Sequence, residues 1–213
     1  MGVTVFLHYY IPSDRLRAEE NKAVFMEWIN NRCVDRLVVI KKPEITAPAK
    51  PDVEIQLNTQ PLLRDYREAI AQFSGNDDIT IVPNADCFIA EEDMLRLNDL
   101  KRGTVYCLSR VEIKSARPIK LYWWRNRSIR RKHPLDTQDC WIFRGILKPD
   151  MWLEFPLGKP GSDNRLAFEF EKAGYRIFNP ASSIRLFHFH RSKTRSYTEA
   201  DRVPPPYAFP KRI

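Results

Sequence analysis

Three apolar, β-rich runs separated by amphipathic segments constrain this chain more than any other feature. Residues 3–9 carry Val3, Val5, Phe6 and Leu7, residues 34–42 carry Leu37-Val38-Val39-Ile40, and residues 79–83 read Ile79-Thr80-Ile81-Val82-Pro83. Between the first two, Ser13-Asp14 supply capping residues, and Val24, Phe25, Trp28 and Ile29 recur at helical spacing. Before the third, Pro61 opens a helix whose apolar members are Leu62, Leu63, Tyr66, Ile70 and Phe73, with a stop at Ser74-Gly75-Asn76. Residues 43–51 hold three prolines and read as a loop, and residues 53–57 as a short strand. This β-α-β-α-β rhythm predicts an α/β fold with a mostly parallel central sheet flanked by helices, whose ligands gather beyond the carboxyl ends of the strands.

The remainder reads as a short helix at 91–99, strands at 104–113 and 139–144, a helix at 163–173 closed by Gly174, strands at 175–178 and 184–189, and an extended tail through Pro204-Pro205-Pro206. With 213 residues, 43% of them hydrophobic, the chain is expected to form one domain over 1–213. Cys33, Cys87, Cys107 and Cys140 are far apart and lack zinc or redox spacing, so free thiols in a reducing compartment are expected. No basic leader, cleavage site or membrane-length apolar run is present, which points to a soluble, cytoplasmic protein with no membrane or obligate protein partner. Lys and Arg outnumber Asp and Glu by 35 to 27, a net charge of +8 that favours polyanionic partners.

Several residues can carry chemistry. Asn84-Ala85-Asp86 ends the third β run, where oxygen ligands suit Mn²⁺ or Mg²⁺, although both residue types also stabilise plain turns. In His188-Phe189-His190 the period-2 spacing puts two imidazoles on one face of a strand, as metal ligands or as structural histidines. Gly158 and Gly161 deliver Asp163 at or just before a helix N-terminus, where it caps the helix or acts as a general base. Asp139 starts an apolar strand, either contacting sugar hydroxyls or merely facing solvent. Arg17 and Glu20, three apart on the first helix, fit a surface ion pair or a ligand contact.

In order along the chain, Asn84-Ala85-Asp86, Leu108-Ser109-Arg110, Gln138-Asp139-Cys140-Trp141-Ile142-Phe143, Gly161-Ser162-Asp163-Asn164-Arg165-Leu166, Gly174-Tyr175-Arg176-Ile177-Phe178-Asn179-Pro180 and His188-Phe189-His190-Arg191-Ser192 resemble the small GT-A-type glycosyltransferases. The likeness covers residues 79–197, and the first 60 only in outline. It implies a single GT-A, Rossmann-like domain with a nucleotide-sugar-binding half (1–100) and an acceptor-binding half (101–213). It also implies a UDP-sugar donor and a Mn²⁺ or Mg²⁺ ion held by Asp86 with His190 or His188. Asp163 would then be the general base, Asp139 a contact to the donor sugar, and Arg17, Glu20, Asn84 and Arg110 the lining of the nucleotide site. Two positions depart from the pattern: Asn84 replaces the first acid of the commoner Asp-x-Asp form, and Gln60-Pro61-Leu62 stands where relatives carry Arg-Pro-Thr.

The acceptor is read from residues 114–136. Trp123, Trp124, Arg125, Arg127, Arg130, Arg131 and Lys132 mix bases with aromatics, as a phosphate backbone and stacked or extruded bases require, or as a solvated loop with core-packed tryptophans would show. The chain is similar to the glycosyltransferases associated with TET/JBP-type base oxidation in phage-like DNA. That similarity implies transfer of a hexosyl or pentosyl group to the hydroxymethyl of a modified pyrimidine such as 5-hydroxymethylcytosine, within the host cytoplasm. A glycosyltransferase acting on a saccharide, protein or small molecule, a nucleotide-sugar hydrolase, and a non-catalytic DNA-binding module remain the alternatives.

Overall fold

The computed structural model describes residues 2–113, 137–189, 191–192, 194 and 197–213. Strand β1 (Val3–His8) leads through helix α1 (Arg15–Ile29) to β2 (Arg36–Lys41) and β3 (Val53–Gln56). Helix α2 (Leu63–Phe73) then returns the chain to β4 (Ile79–Pro83). β1 pairs in parallel with β2 on one side and β4 on the other, and β2 pairs in parallel with β3. This half of the sheet therefore runs β3-β2-β1-β4, with the strand order reversing between β1 and β4. A reversal of this kind opens a crevice at the carboxyl ends of the two strands, the switch point of a doubly wound, Rossmann-like fold.

Both faces of the sheet are covered, as its continuous apolar strands require. Along β1 the side chains alternate: Val5 and Leu7 join a core with Val24, Phe25 and Trp28 of α1, whereas Phe6 joins the opposite core with Tyr66 and Ile70 of α2. Asp14 caps α1 by accepting a hydrogen bond from the Arg17 amide at 2.8 Å. The cap of α2 falls on Leu62 rather than Pro61, and Asp65 accepts from the Leu62 amide at 2.7 Å.

The second half of the sheet is mixed. β6 (Thr104–Leu108), β8 (Cys140–Arg144), β9 (Arg176–Asn179) and the two-residue β11 (Lys211–Arg212) complete eight strands in the order β11-β9-β6-β8-β4-β1-β2-β3. β8 alone runs antiparallel to its neighbours β4 and β6. It therefore starts where those two strands end, which sets Asp139 beside Asn84 and Arg110. The expected strand at 104–113 is broken at Ser109, because Asn179 Nδ2 donates to Ser109 Oγ at 2.7 Å and the chain turns into a second sheet. That sheet holds β7 (Arg110–Ile113), β10 (Leu186–Phe189) and the unforeseen β5 (Cys87–Ile89), with β10 in the middle.

Helix α3 (Glu91–Met94) continues as a 3-10 turn to Asp99, and helix α4 spans Ser162–Lys172. The tail through Pro204-Pro205-Pro206 forms no helix, and it is flanked by a 3-10 turn at Glu199–Asp201 and by β11. The four cysteines are free, as the spacing led us to expect, and all but Cys33 are buried. Among the described residues, no helix is long and apolar enough to cross a membrane.

Gly145, just after β8, has φ +82°, and a Cβ there would lie 2.8 Å from the backbone oxygen of Asn76. Gly103 has φ +72° but nothing within 4 Å of a Cβ. Both substitutions to Ala carry the cost of left-handed backbone, about 1–3 kcal/mol, and only Gly145→Ala adds a steric clash with main chain. Gly145→Ala should therefore unfold at a clearly lower urea concentration than Gly103→Ala; coincident midpoints would contradict this account.

Candidate functional site

Beyond the carboxyl ends of β1, β4 and β6 the apolar sheet gives way to a buried network of charge. Asp86 sits in the turn between β4 and β5 and is 7% exposed. Its Oδ2 lies 3.0 Å from His188 Nε2 and 2.5 Å from Arg17 Nη2. His188 is placed by register: on β10 it pairs with Cys87 of β5 on one side and Glu112 of β7 on the other. Its Nδ1 lies 3.2 Å from Glu112 Oε2, so the imidazole spans two carboxylates.

Arg110, two residues before Glu112 on the same face of β7, donates to Glu112 at 3.0 Å and to Asp139 Oδ1 at 2.8 Å. Asn84 Nδ2 donates to the same Asp139 oxygen at 2.8 Å, and the Asn84 amide bonds the Asp139 carbonyl at 2.8 Å. Asn84 thus orients Asp139, whereas Asp86 engages His188 and Arg17. Asp139 Oδ2 is buried and has no hydrogen-bond partner among the described residues. Asp139 does not face solvent at a strand start; it is 5% exposed.

Burial alone would raise the Asp86 carboxyl. The hydrogen bond to His188 and the charges of His188, Arg17 and Arg110 outweigh it and hold the group well below the usual carboxylate range. For His188 burial works against the cation, but the hydrogen bonds to Asp86 and Glu112 raise it to about 9. For Glu112 burial again opposes ionisation, and His188 and Arg110 bring it to about 2. Asp139 is raised, by burial foremost and also by the charge of Asp86, against the pull of Arg110 and His188.

Arg17 and Glu20 do form an ion pair, at 3.3 Å, but it is no surface pair. Glu20 is 1% exposed and its Oε1 accepts from the Arg191 and Ser192 amides at 2.5 and 2.9 Å, which ties the segment after β10 to α1. Asp163 is not the helix cap. Gly161, at φ +77°, takes that place, and Asp163 stands half-buried in the first turn of α4. Its Oδ2 accepts from the Gln138 amide at 3.2 Å, one residue from Asp139. Burial, followed by the charge of Asp139 and opposed by backbone hydrogen bonds, raises Asp163 to about 6.

The sequence reading missed Glu112 and Tyr10. Glu112 was legible as the i+2 neighbour of Arg110 on one strand face. Tyr10 follows β1 at the switch point, stacks on His8 with ring centroids 5.0 Å apart, and has its hydroxyl raised by burial and then by Asp86. His190 and all of Trp123, Trp124, Arg125, Arg127, Arg130, Arg131 and Lys132 lie outside the described residues.

The donor set can hold a divalent ion. Ligand atoms of Asp86, Cys87 and His188 lie within 4.8 Å of one another. The 3.0 Å between Asp86 Oδ2 and His188 Nε2 is close to the spacing of two adjacent ligands on an octahedral ion with bonds of ~2.1 Å. Cys87 fits less well, since burial and then the charges of Asp86 and Asp139 push its thiol well above the ordinary value. Asp86 and His188 would therefore hold such an ion, leaving other positions to a ligand.

No known family's sequence profile matches the chain, and no curated protein matches it. Among solved structures, the chain is similar to the crystal structure of 4-diphosphocytidyl-2C-methyl-D-erythritol synthase, at 17% identity and a TM-score of 0.48 over 94% of this chain and 96% of that chain.

The raised His188 gives a signed pH dependence to the stability of the metal-free protein. A folded-state value of about 9 above the ordinary 6.5 means that its contribution is complete below pH 6.5 and is lost as pH rises through about 9. In the presence of a chelator, wild type should lose more thermal stability between pH 6.5 and 9.5 than His188→Gln. Parallel curves for the two proteins would rule this out.

Proposed function

We propose that the protein is a metal-dependent glycosyltransferase that moves a sugar from a UDP-sugar to a hydroxyl acceptor, with the hydroxymethyl group of a modified pyrimidine in DNA, such as 5-hydroxymethylcytosine, as that acceptor. The observation that carries the reading is the convergence of Asp86, His188, Arg17, Arg110 and Asp139 at the carboxyl ends of the parallel strands, with Asp163 one step beyond. Two acids, an imidazole and two guanidinium groups answer to the needs of a metal-bound diphosphate. The cluster draws on residues from both 1–100 and 101–213, which supports reading the chain as one catalytic unit.

In this reading Asp86 and His188 hold Mn²⁺ or Mg²⁺, which when bound neutralises charge on the leaving diphosphate. Arg17 and Arg110 add donors for phosphate oxygens, and Glu20 holds Arg17 in place. Asp139, with one oxygen fixed by Arg110 and Asn84, offers its other oxygen to a sugar hydroxyl. Asp163 accepts the proton of the acceptor hydroxyl as that oxygen bonds to the anomeric carbon and the bond from that carbon to the diphosphate breaks. Support for a DNA acceptor comes from composition and chain position. The basic, aromatic stretch 114–136 is joined at one end to β7, which carries Glu112, and at the other to Gln138 and Asp139.

Incubation with Mn²⁺, UDP-glucose or other UDP-sugars, and duplex DNA with or without 5-hydroxymethylcytosine, followed by nucleoside mass spectrometry, tests the proposal. A hexose or pentose mass gain confined to the hydroxymethylated base is expected. No gain with any nucleotide sugar defeats the DNA acceptor, and transfer to free saccharide unaffected by DNA moves the assignment to a saccharide enzyme.

Two variants test the roles. Asp86→Ala should reduce activity more than Asn84→Ala, because the first removes a proposed ligand and the second only a support for Asp139. Asp163→Asn should lower kcat by about 10²–10⁴-fold. Because a base must be ionised, wild-type kcat/KM should rise with pH through about 6 and level off above it. A profile flat between pH 5 and 7.5 would exclude Asp163 as the base.

A further inference from the structure

Arg17 is bonded to the oxygen that a cation on Asp86 needs. Asp86 Oδ2 accepts from Arg17 Nη2 at 2.5 Å and from His188 Nε2 at 3.0 Å, while Oδ1 accepts from the Cys87 thiol at 3.5 Å. Both oxygens of the buried carboxylate are therefore already engaged. A divalent ion entering between Asp86 and His188 would share Oδ2 with a guanidinium whose charge repels it.

The guanidinium is also the most solvent-accessible member of this contact. The Arg17 side chain is 23% exposed, whereas that of Asp86 is 10% and that of Glu20 fully buried. The backbone of Arg17 is pinned in the first turn of α1 by Asp14, so that only the long side chain has to move. Its Nη1 rests 3.3 Å from Glu20 Oε2, a second partner that can retain the side chain near the crevice once Oδ2 is given up. A planar fork turned away from Asp86 by one set of torsions presents its donors to a diphosphate, the group whose oxygens it matches in pairs.

We propose that Arg17 is an exchangeable latch: it takes the cation's place on Asp86 in the ligand-free protein and transfers to the diphosphate of the incoming nucleotide when the metal binds. This deepens the glycosyltransferase reading and rests on it. The latch makes metal and nucleotide bind cooperatively, since each removes what obstructs the other, and thermodynamic linkage requires the effect to be mutual. It also keeps the buried carboxylate compensated while no metal is present, which an open acidic site would not do.

Calorimetric titration of Mn²⁺ alone at one fixed pH and salt, repeated with saturating UDP, tests the latch in wild type, Arg17→Gln and Arg17→Met. The second variant keeps the apolar stem, and far-UV circular dichroism with a urea midpoint checks folding of each. Freed of its competitor, either variant should bind Mn²⁺ about tenfold more tightly than wild type, and UDP should tighten Mn²⁺ binding on the order of 5- to 150-fold in wild type but far less in the variants. Equal Mn²⁺ affinity in wild type and variants overturns the latch and leaves the metal site standing. An equal gain from Arg110→Gln, which removes the same charge without releasing Asp86, also overturns it, because the effect is then only through-space. Absence of Mn²⁺ binding in every protein, with and without UDP, removes the metal reading and the latch together.

Discussion

The Asp86 carboxylate is the point on which the arrangement of the two sheets depends. It lies in the turn where the chain leaves β4 of the large sheet and enters β5 of the small one, and its partners come from α1 and from β10. A carboxylate this deeply buried cannot stay ionised without compensation, and His188 and Arg17 provide it from two different directions. Breaking a buried pair by removing one partner leaves the other charge stranded, at about 3–5 kcal/mol. The small sheet is thus fastened to the large one by the same atoms that give the crevice its chemistry.

The surrounding network combines this fastening role with features that support the proposed site. Four carboxylates, from Glu20, Asp86, Glu112 and Asp139, meet three cationic groups, from Arg17, Arg110 and His188, so the cluster carries an excess of negative charge in a protein of net charge +8. One Asp139 oxygen is left without a partner among the described residues, which an optimised structural network would avoid. Asp163 stands nearby with its pKa displaced towards neutrality, in the range suited to a base near neutral pH. Strong perturbations of different sign in adjoining groups are typical of places where protons and charged ligands are handled.

Much of the fold was legible because hydrophobic periodicity is a local property. The runs at 3–9, 34–42 and 79–83 became β1, β2 and β4 with only their ends moved, and Val24, Phe25 and Trp28 form the buried face of α1. What escaped was decided by pairing between distant segments. β5 is three residues long and exists because β10 hydrogen-bonds to it, and β11 is two residues held by β9. The split at Ser109 depends on Asn179, seventy residues away, and the cap of α4 on a glycine beside Asp163 rather than on the acid itself.

For the site, sequence determined the kinds of group available: Asp86 after a strand, His188 on a strand, Arg110 and Asp139 flanking apolar runs, Arg17 and Glu20 on one side of a helix. It fixed those because local patterning says which elements exist and which residues stand at their ends. Only tertiary structure decided which of them meet. The antiparallel course of β8 brings Asp139 to Asn84 and Arg110, the register of β10 sets His188 between Cys87 and Glu112, and the crossing of α1 carries Arg17 to Asp86. Those contacts arise from strand order and register, which are long-range consequences of burying both faces of one sheet and which no single stretch of sequence contains.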